Sequence, residues 1–322
     1  MQKPRARVLS LGEMTEVERQ LESDFDVERV AVKDLPRFLA ERGGSVRAIA
    51  TRGRDRIDDA FLARVPAVEI IANFGVGYDS IEVQAAARRG IVVTNTPDVL
   101  NDEVADFAVA LLLATVRQLA QADRFVRQGR WLQGNFPLGP TLRDRTVGLI
   151  GMGRIGKRIA QRLSAFDVPV VYHARSPRPD LPYRYYAELL AMARDADTLL
   201  AIIPGGTATR HLVDAKVLAA LGPRGIFVNV ARGSIVDEPA LIEALRSGTI
   251  LAAGLDVFAD EPRVPQALLD LDNVVVVPHI GSATHHTRGL MGKLVVDNLR
   301  SWFAGRGPLT PVPETPWRKP DR

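Results

Sequence analysis

Short apolar, β-branched runs recur along the first hundred residues, with helical patterns between them. ARVLSL (6–11), SVRAIAT (45–51), AVEIIANF (67–74) and GIVVTNTP (90–97) read as strands. DDAFLARV (58–65) and SIEVQAAARRG (80–90) place apolar residues on one helical face. The alternation predicts an α/β unit. From Asn101 the pattern becomes NDEVADFAVALLLATVRQLAQADRFVRQG, helical spacing over about eight turns with Gly129 as a stop, so one long connecting helix is expected. A second alternation follows. RTVGLI, VPVVYH, DTLLAIIP, GIFVNVA, LAAGLDVF and NVVVVPHI are nearly continuous apolar strands with helical segments between them, the pattern of a parallel sheet covered on both faces.

The expected fold is therefore two doubly wound parallel-sheet α/β domains, Rossmann-like or flavodoxin-like, with the chemistry in a cleft between them. The helix TRGLMGKLVVDNLRSWFAG is expected to return to the first domain. That gives a discontinuous domain of residues 1–99 plus 288–322 and a second domain of 100–287. The proline-rich end, GRGPLTPVPETPWRKPDR, reads as an extended surface segment and is assigned no chemistry.

Composition narrows the function classes. The 322 residues contain no Cys, which excludes disulfides, thiol nucleophiles and cysteine metal sites. The net charge of +4 comes from basic residues interspersed with acids, as in RGRDRIDD, so no nucleic-acid partner is expected. The apolar run 108–116 is too short to span a bilayer, and the N-terminal residues lack the pattern of a secretory signal. A cytoplasmic protein with no membrane partner is expected.

The stretch LIGMGRIGKRIAQRL follows a strand and opens a helix, the context that gives a G-x-G-x-x-G pattern meaning. Gly151 permits the tight turn, Gly153 lets backbone approach a pyrophosphate, and Gly156 allows the helix to pack closely. Arg154 and Ile155 begin the helix whose N-terminus favours phosphate charge. An acid normally ends the next strand and holds the adenosine ribose 2′-hydroxyl; here that place holds Ala174. Asp167 precedes the strand, at its wrong end. Arg175, Ser176 and Arg178 can offer donors to a 2′-phosphate, which favours NADP over NAD, with NAD still possible. They can equally be solvated residues of an Arg-rich chain.

Three later strand ends carry groups suited to anion or proton chemistry: Arg232 in FVNVARGSIVDE, Glu261 in LDVFADEP and His279 in VVVVPHIGSAT. A guanidinium can fork onto a carboxylate, an imidazole exchanges a proton near neutral pH, and a neighbouring acid favours imidazolium and fixes its orientation. Taken singly, each also has a structural reading as an ion pair, a helix-start acid or a buried imidazole. Gly75 and Gly77, after another apolar strand, can present amides to an anion or form a simple turn. No ligand set for a metal is visible, and His285 and His286 read as helix-start surface residues.

NVARGSIVDE, GLDVFADEP, PHIGSAT and GMGRIG stand in the order and spacing of the D-isomer-specific 2-hydroxyacid dehydrogenases, and the chain resembles that family over nearly its whole length. NTPDVLNDEVADFAVALLLATVR, the ARS ending and GSATHHTRGLM look most like its glyoxylate/hydroxypyruvate reductases, which often use NADPH. The resemblance implies that Arg232 binds and polarises a small 2-keto acid, that His279 is the general acid for reduction, and that Glu261 pairs with His279. It implies that backbone around Val76 and Gly77 holds the substrate carboxylate, that Asp256 meets the nicotinamide carboxamide, and that Ala231 and Gly281 line the nicotinamide pocket. Formate-oxidising relatives pair the His with Gln, so Glu261 points to keto-acid reduction. The resemblance also implies a homodimer built around the long helix and RWLQGNFPLG, with Trp131 reaching the partner. Two alternatives remain: an NAD-dependent dehydrogenase of another D-2-hydroxy acid, and a dinucleotide-sensing regulatory protein. The sequence departs from the family at Asp106, where many members have Glu, and at PGGTAT, where many have a Pro-Leu-Thr pattern.

Overall fold

The computed structural model describes residues 5–143 and 145–317. It divides into two compact units, Met1–Leu100 with Thr284–Arg322, and Asn101–Ala283. Thr284 caps the helix His285–Phe303, accepting from the Thr287 amide, and goes with that helix into the first unit. The sequence-based expectation placed 284–287 in the other one.

In the first unit β1 (Arg7–Leu11), β2 (Asp26–Arg29), β3 (Val46–Thr51), β4 (Ile70–Asn73) and β5 (Val92–Thr94) form one parallel sheet in the order β2-β1-β3-β4-β5. This is the flavodoxin-like order. Apart from β2, the strands read as largely apolar runs because both faces are covered. Leu9, Ile49, Ile71 and Val93 pack on one side with Leu62 and Ile81. Val8, Ala48, Ala50, Ile70 and Ala72 pack on the other with Val17 and with Val295, Val296 and Leu299 of the helix His285–Phe303.

The second unit holds β6 (Val147–Ile150), β7 (Val170–His173), β8 (Arg184–Tyr186), β9 (Thr198–Ala201), β10 (Ile226–Asn229), β11 (Ala252–Leu255) and β12 (Val274–Val276). Every pairing is parallel, in the order β12-β11-β10-β9-β6-β7-β8, a Rossmann order extended by one strand. Register fixes where the loops emerge. Ile150 pairs with Ala201, Ala201 with Asn229, Asn229 with Leu255 and Leu255 with Val276, so these strands end together and their following loops share one edge.

Three features differ from the sequence reading. The long connecting helix is two helices, Asn101–Val116 and Leu119–Arg127, separated by Gln118 in the left-handed region at φ +52°. A single such residue leaves the apolar spacing of both halves intact, and no Gly or Pro marks the break. Strands β2 (DVER) and β8 (RYY) escaped notice because they are short, polar edge strands. The proline-rich end is not merely laid on the surface: Val312 and Thr315 are buried, and Pro311 bridges Thr94 of β5. Part of that stretch, 318–322, lies outside the described residues.

Candidate active site

The turn after β6 is built for close backbone approach. Gly151 sits at φ +114°, and a Cβ there would lie 2.5 Å from the Ile202 carbonyl oxygen. A Cβ on Gly156 would lie 2.3 Å from the Gly151 carbonyl oxygen, so the helix Arg154–Ser164 can pack on the turn only with glycine at that position. Gly153, the N-cap, is different: nothing lies within 4 Å of where its Cβ would be, and no side chain caps the helix. The first amides thus have open space before them, which fits a pyrophosphate. Arg154 is exposed beside it and Ile155 is half-buried.

At the end of β7, Ala174 is half-buried and Arg175, Ser176 and Arg178 are exposed. Two tyrosines fix this loop from below. The Tyr185 hydroxyl donates to the Ala174 carbonyl oxygen at 3.1 Å, and the Tyr172 hydroxyl accepts from the Arg178 amide at 2.6 Å. Their rings pack 5.4 Å apart, with Tyr172 fully buried in β7. The strand end carries alanine rather than an acid, and Asp180 further along the loop is paired with Lys157 at 2.8 Å, so the donors here fit a 2′-phosphate.

Arg232, Glu261 and His279 emerge from β10, β11 and β12 at the common edge. Asn229, the fully buried last residue of β10, accepts from the Ala231 amide at 3.1 Å and donates to the Arg232 carbonyl oxygen at 2.9 Å, fixing the turn that presents Arg232. The half-buried guanidinium donates to the Ala231 carbonyl oxygen at 2.7 Å. A Cβ on the next residue, Gly233, would lie 1.9 Å from the Phe258 carbonyl carbon, so the Arg232 loop and the loop carrying Glu261 meet backbone to backbone. Glu261 Oε2 lies 2.8 Å from His279 Nδ1, and Oε1 accepts from the Phe258 amide at 3.3 Å.

His279 has φ +54°, a left-handed conformation costing a non-glycine residue about 1–2 kcal/mol. Asp256 offsets it. Its carboxylate, 1% exposed, accepts from the amides of Ile280 at 2.6 Å and Gly281 at 3.0 Å, holding the backbone just after His279. Charged hydrogen bonds contribute roughly 1.5–3 kcal/mol each, enough to fix the strained turn. Burial pushes the Asp256 carboxyl above the usual carboxylate range, against the two amides that favour its charge. A Cβ on Gly281 would lie 3.0 Å from Asp256 Oδ2, so substitution there would strain the same clamp. Ala231 is buried at the foot of the Arg232 turn.

In the first unit, considered by itself, β4 ends at Asn73 and is followed by the half-buried loop Gly75–Tyr78, which contains Val76 and Gly77. Asn73 donates to the carbonyl oxygens of Gly75 and Gly77, at 3.1 and 2.9 Å.

The family model described as "D-isomer specific 2-hydroxyacid dehydrogenase, NAD binding domain" matches residues 109–281. The chain belongs to the D-isomer specific 2-hydroxyacid dehydrogenase family. It is 43% identical over 297 residues to glyoxylate/hydroxypyruvate reductase A HPR2 of Arabidopsis thaliana, covering 92% of this chain and 95% of that protein. It is 42% identical over 299 residues to hydroxyphenylpyruvate reductase of Plectranthus scutellarioides, covering 92% and 96%. Among solved structures, the NADPH-dependent glyoxylate/hydroxypyruvate reductase SmGhrB of Sinorhizobium meliloti, in complex with NADP and malonate, is similar with a TM-score of 0.94 at 50% identity, covering 99% of this chain and 100% of that one.

The two departures from the family pattern have local explanations. Asp106, where many D-isomer specific 2-hydroxyacid dehydrogenases have Glu, pairs with Arg162 on the helix that follows the glycine turn. In PGGTAT, Gly206 adopts φ +132° and Thr209 returns a hydrogen bond to the Pro204 carbonyl oxygen at 2.9 Å. Sequence reasoning missed Asn73, Asn229, Tyr172 and Tyr185. A signal existed for the asparagines: an amide ending an otherwise apolar buried strand is costly unless it bonds the adjoining loop. Among the described residues no cluster of three or more His, Asp or Glu could hold a metal ion, and no helix is long and apolar enough to cross a membrane.

Proposed function

We propose that the chain reduces small 2-keto acids, glyoxylate and hydroxypyruvate, to the 2-hydroxy acids with NADPH as the preferred donor and NADH as a weaker one. The observation that carries this reading is the 2.8 Å pair of Glu261 and His279, held by the Asp256 clamp, beside a turn that presents Arg232. When bound, NADPH supplies the hydride that reduces the C2 carbonyl. Gly151, Gly153, Arg154, Ile155 and Gly156 would hold its pyrophosphate. Arg175, Ser176 and Arg178 would hold the 2′-phosphate beside Ala174, and Ala231, Asp256 and Gly281 would border the nicotinamide. Asp256 spends one lone pair of each oxygen on the loop amides, leaving others for a carboxamide N–H.

The chain's own groups do the rest. Arg232 binds the keto acid and draws charge toward its carbonyl oxygen; the amides of Val76 and Gly77 hold its carboxylate. With Nδ1 bonded to Glu261, Nε2 of His279 carries the proton delivered to the developing alkoxide. The Glu261 carboxylate orients the ring.

The test is NADPH and NADH oxidation by the purified protein against glyoxylate, hydroxypyruvate and hydroxyphenylpyruvate. A kcat/KM at least tenfold higher with NADPH, on the two small acids, is expected. An NADH preference overturns the reading of the Arg175 loop, and no turnover with any acid favours a dinucleotide sensor. The similarity to hydroxyphenylpyruvate reductase supports a second reading, an enzyme for an aryl-bearing 2-keto acid, which dominant turnover of that substrate would establish. We further assign a homodimer, supported by the exposed Trp131, Leu132 and Leu138 in the segment after the second connecting helix, with Trp131 reaching the partner's pocket. A monomeric mass by light scattering overturns it. A cytoplasmic location is assigned from a chain without Cys, and cell fractionation checks it.

A further inference from the structure

The loop Gly75–Tyr78 has its carbonyl groups tied back one after another. Gly75 O accepts from Asn73 Nδ2 and from the Thr96 amide at 3.0 Å; Val76 O accepts from Asn95 Nδ2 at 2.9 Å; Gly77 O accepts from Asn73 Nδ2. In a trans peptide the N–H points opposite to the C=O of the same unit. Turning the carbonyls of Gly75 and Val76 toward the asparagines therefore turns the amides of Val76 and Gly77 away from them, to the side where an anion can be met.

Asn95 is itself held by the C-terminal segment. Thr310 donates its hydroxyl to the Asn95 carbonyl oxygen at 2.7 Å, and its own carbonyl accepts from the Asn95 amide at 3.3 Å. Fully buried Asn298 fixes Thr310 in turn: Nδ2 donates to its hydroxyl at 3.0 Å, while Oδ1 accepts from the amides of Leu309 and Thr310 at 2.9 and 3.1 Å. Beyond it, the Val312 amide donates to the Val93 carbonyl oxygen at 2.9 Å, and Glu314 accepts from the Tyr78 hydroxyl at 3.2 Å. The segment thus runs beside edge strand β5 and touches the loop's support at Asn95 and its far end at Tyr78.

We propose that the C-terminal segment Leu309–Glu314 is a positioning brace for the anion-binding amides of Val76 and Gly77, acting through Asn95 and Tyr78. It rests on the reading of those amides as the carboxylate's donors. Thr310 and Asn95 are positioning residues: neither needs to touch the substrate, and their loss should appear in the affinity for its carboxylate. Asn95 is the decisive member because its side chain holds Val76 O, and Asn95→Asp keeps its volume while replacing the donor with an acceptor.

The test compares wild type, Asn95→Asp, Thr310→Val and Thr310→Ser in the full-length protein. Losing a hydrogen bond of this kind should raise the KM for glyoxylate and the inhibition constant of oxalate about fivefold in Asn95→Asp. A smaller rise is expected in Thr310→Val, with kcat and the NADPH dissociation constant unchanged. Thr310→Ser, which keeps the hydroxyl, should behave as wild type; a role in packing alone would instead make Ser, which loses the methyl, worse than Val. Hydrogen exchange of the peptide spanning 74–79 should quicken in Asn95→Asp and Thr310→Val. Unchanged exchange there overturns the brace, whatever the enzyme turns over. A wild type without keto-acid turnover overturns the reading of the site instead, and exchange still decides the brace. Equal losses in kcat and NADPH affinity also overturn it, since they mark general damage.

Discussion

Two acids behind one imidazole do different work because their surroundings differ. Glu261 is partly exposed and meets the ring at Nδ1, whereas Asp256 is buried and accepts from the backbone amides of Ile280 and Gly281. Replacing Glu261 with Ala should leave Nδ1 unpartnered and lower kcat about 10- to 100-fold, with the NADPH dissociation constant unchanged, as steady-state kinetics and fluorescence titration would read. Asp256→Asn should act on stability too, because one amide N–H would then face another donor at a cost of about 1–3 kcal/mol. The pH dependence follows from the raised pKa of Asp256. The native state holds that proton more tightly than the unfolded chain. Its stabilising contribution is therefore complete below the ordinary carboxylate range and declines as pH rises through the raised value. Urea unfolding at a series of pH values should show wild type losing ground relative to Asp256→Asn across that window. A constant difference would mean that Asp256 has the same pKa in both states.

Loops set the site because the strands deliver them in register, and two contacts make that delivery exacting. Gly233 has no room for a side chain against Phe258, so Gly233→Ala should cost about 3 kcal/mol by thermal or urea unfolding and separate the Arg232 loop from the Glu261 loop. Unchanged stability would mean the loops can part. The Ala174–Arg178 loop depends on two tyrosine hydroxyls. Arg175→Ala and Arg178→Ala should each lower kcat/KM for NADPH about tenfold and spare NADH, as expected for charged hydrogen bonds. Tyr185→Phe should lower the NADPH:NADH ratio less, by loosening the loop. Equal effects on both coenzymes would remove these residues from 2′-phosphate recognition.

Most strands of both sheets were legible in apolar periodicity, because inner parallel strands covered on both faces are nearly continuously apolar. What escaped was governed by contacts the pattern does not carry. Strands β2 and β8 lie at polar edges, Gln118 breaks a helix without a breaking residue, and Val312 is buried against strand β5, remote in sequence. The candidate reactive groups stood out as polar residues at the ends of apolar strands. Their supports, Asn229, Tyr172 and the Asp256 clamp on the His279 loop, did not, because each is defined by the group it bonds rather than by its own type.

For the molecule as a whole, the proposed chemistry has one imidazole deliver the proton to a keto acid held by Arg232. NADPH-driven glyoxylate reduction by His279→Ala and Arg232→Ala, beside wild type, tests it most directly. His279→Ala should lower kcat by roughly 10²–10⁴ with KM within a few-fold, and Arg232→Ala should lower kcat and raise KM together. Wild-type turnover in His279→Ala would exclude this imidazole as the proton donor.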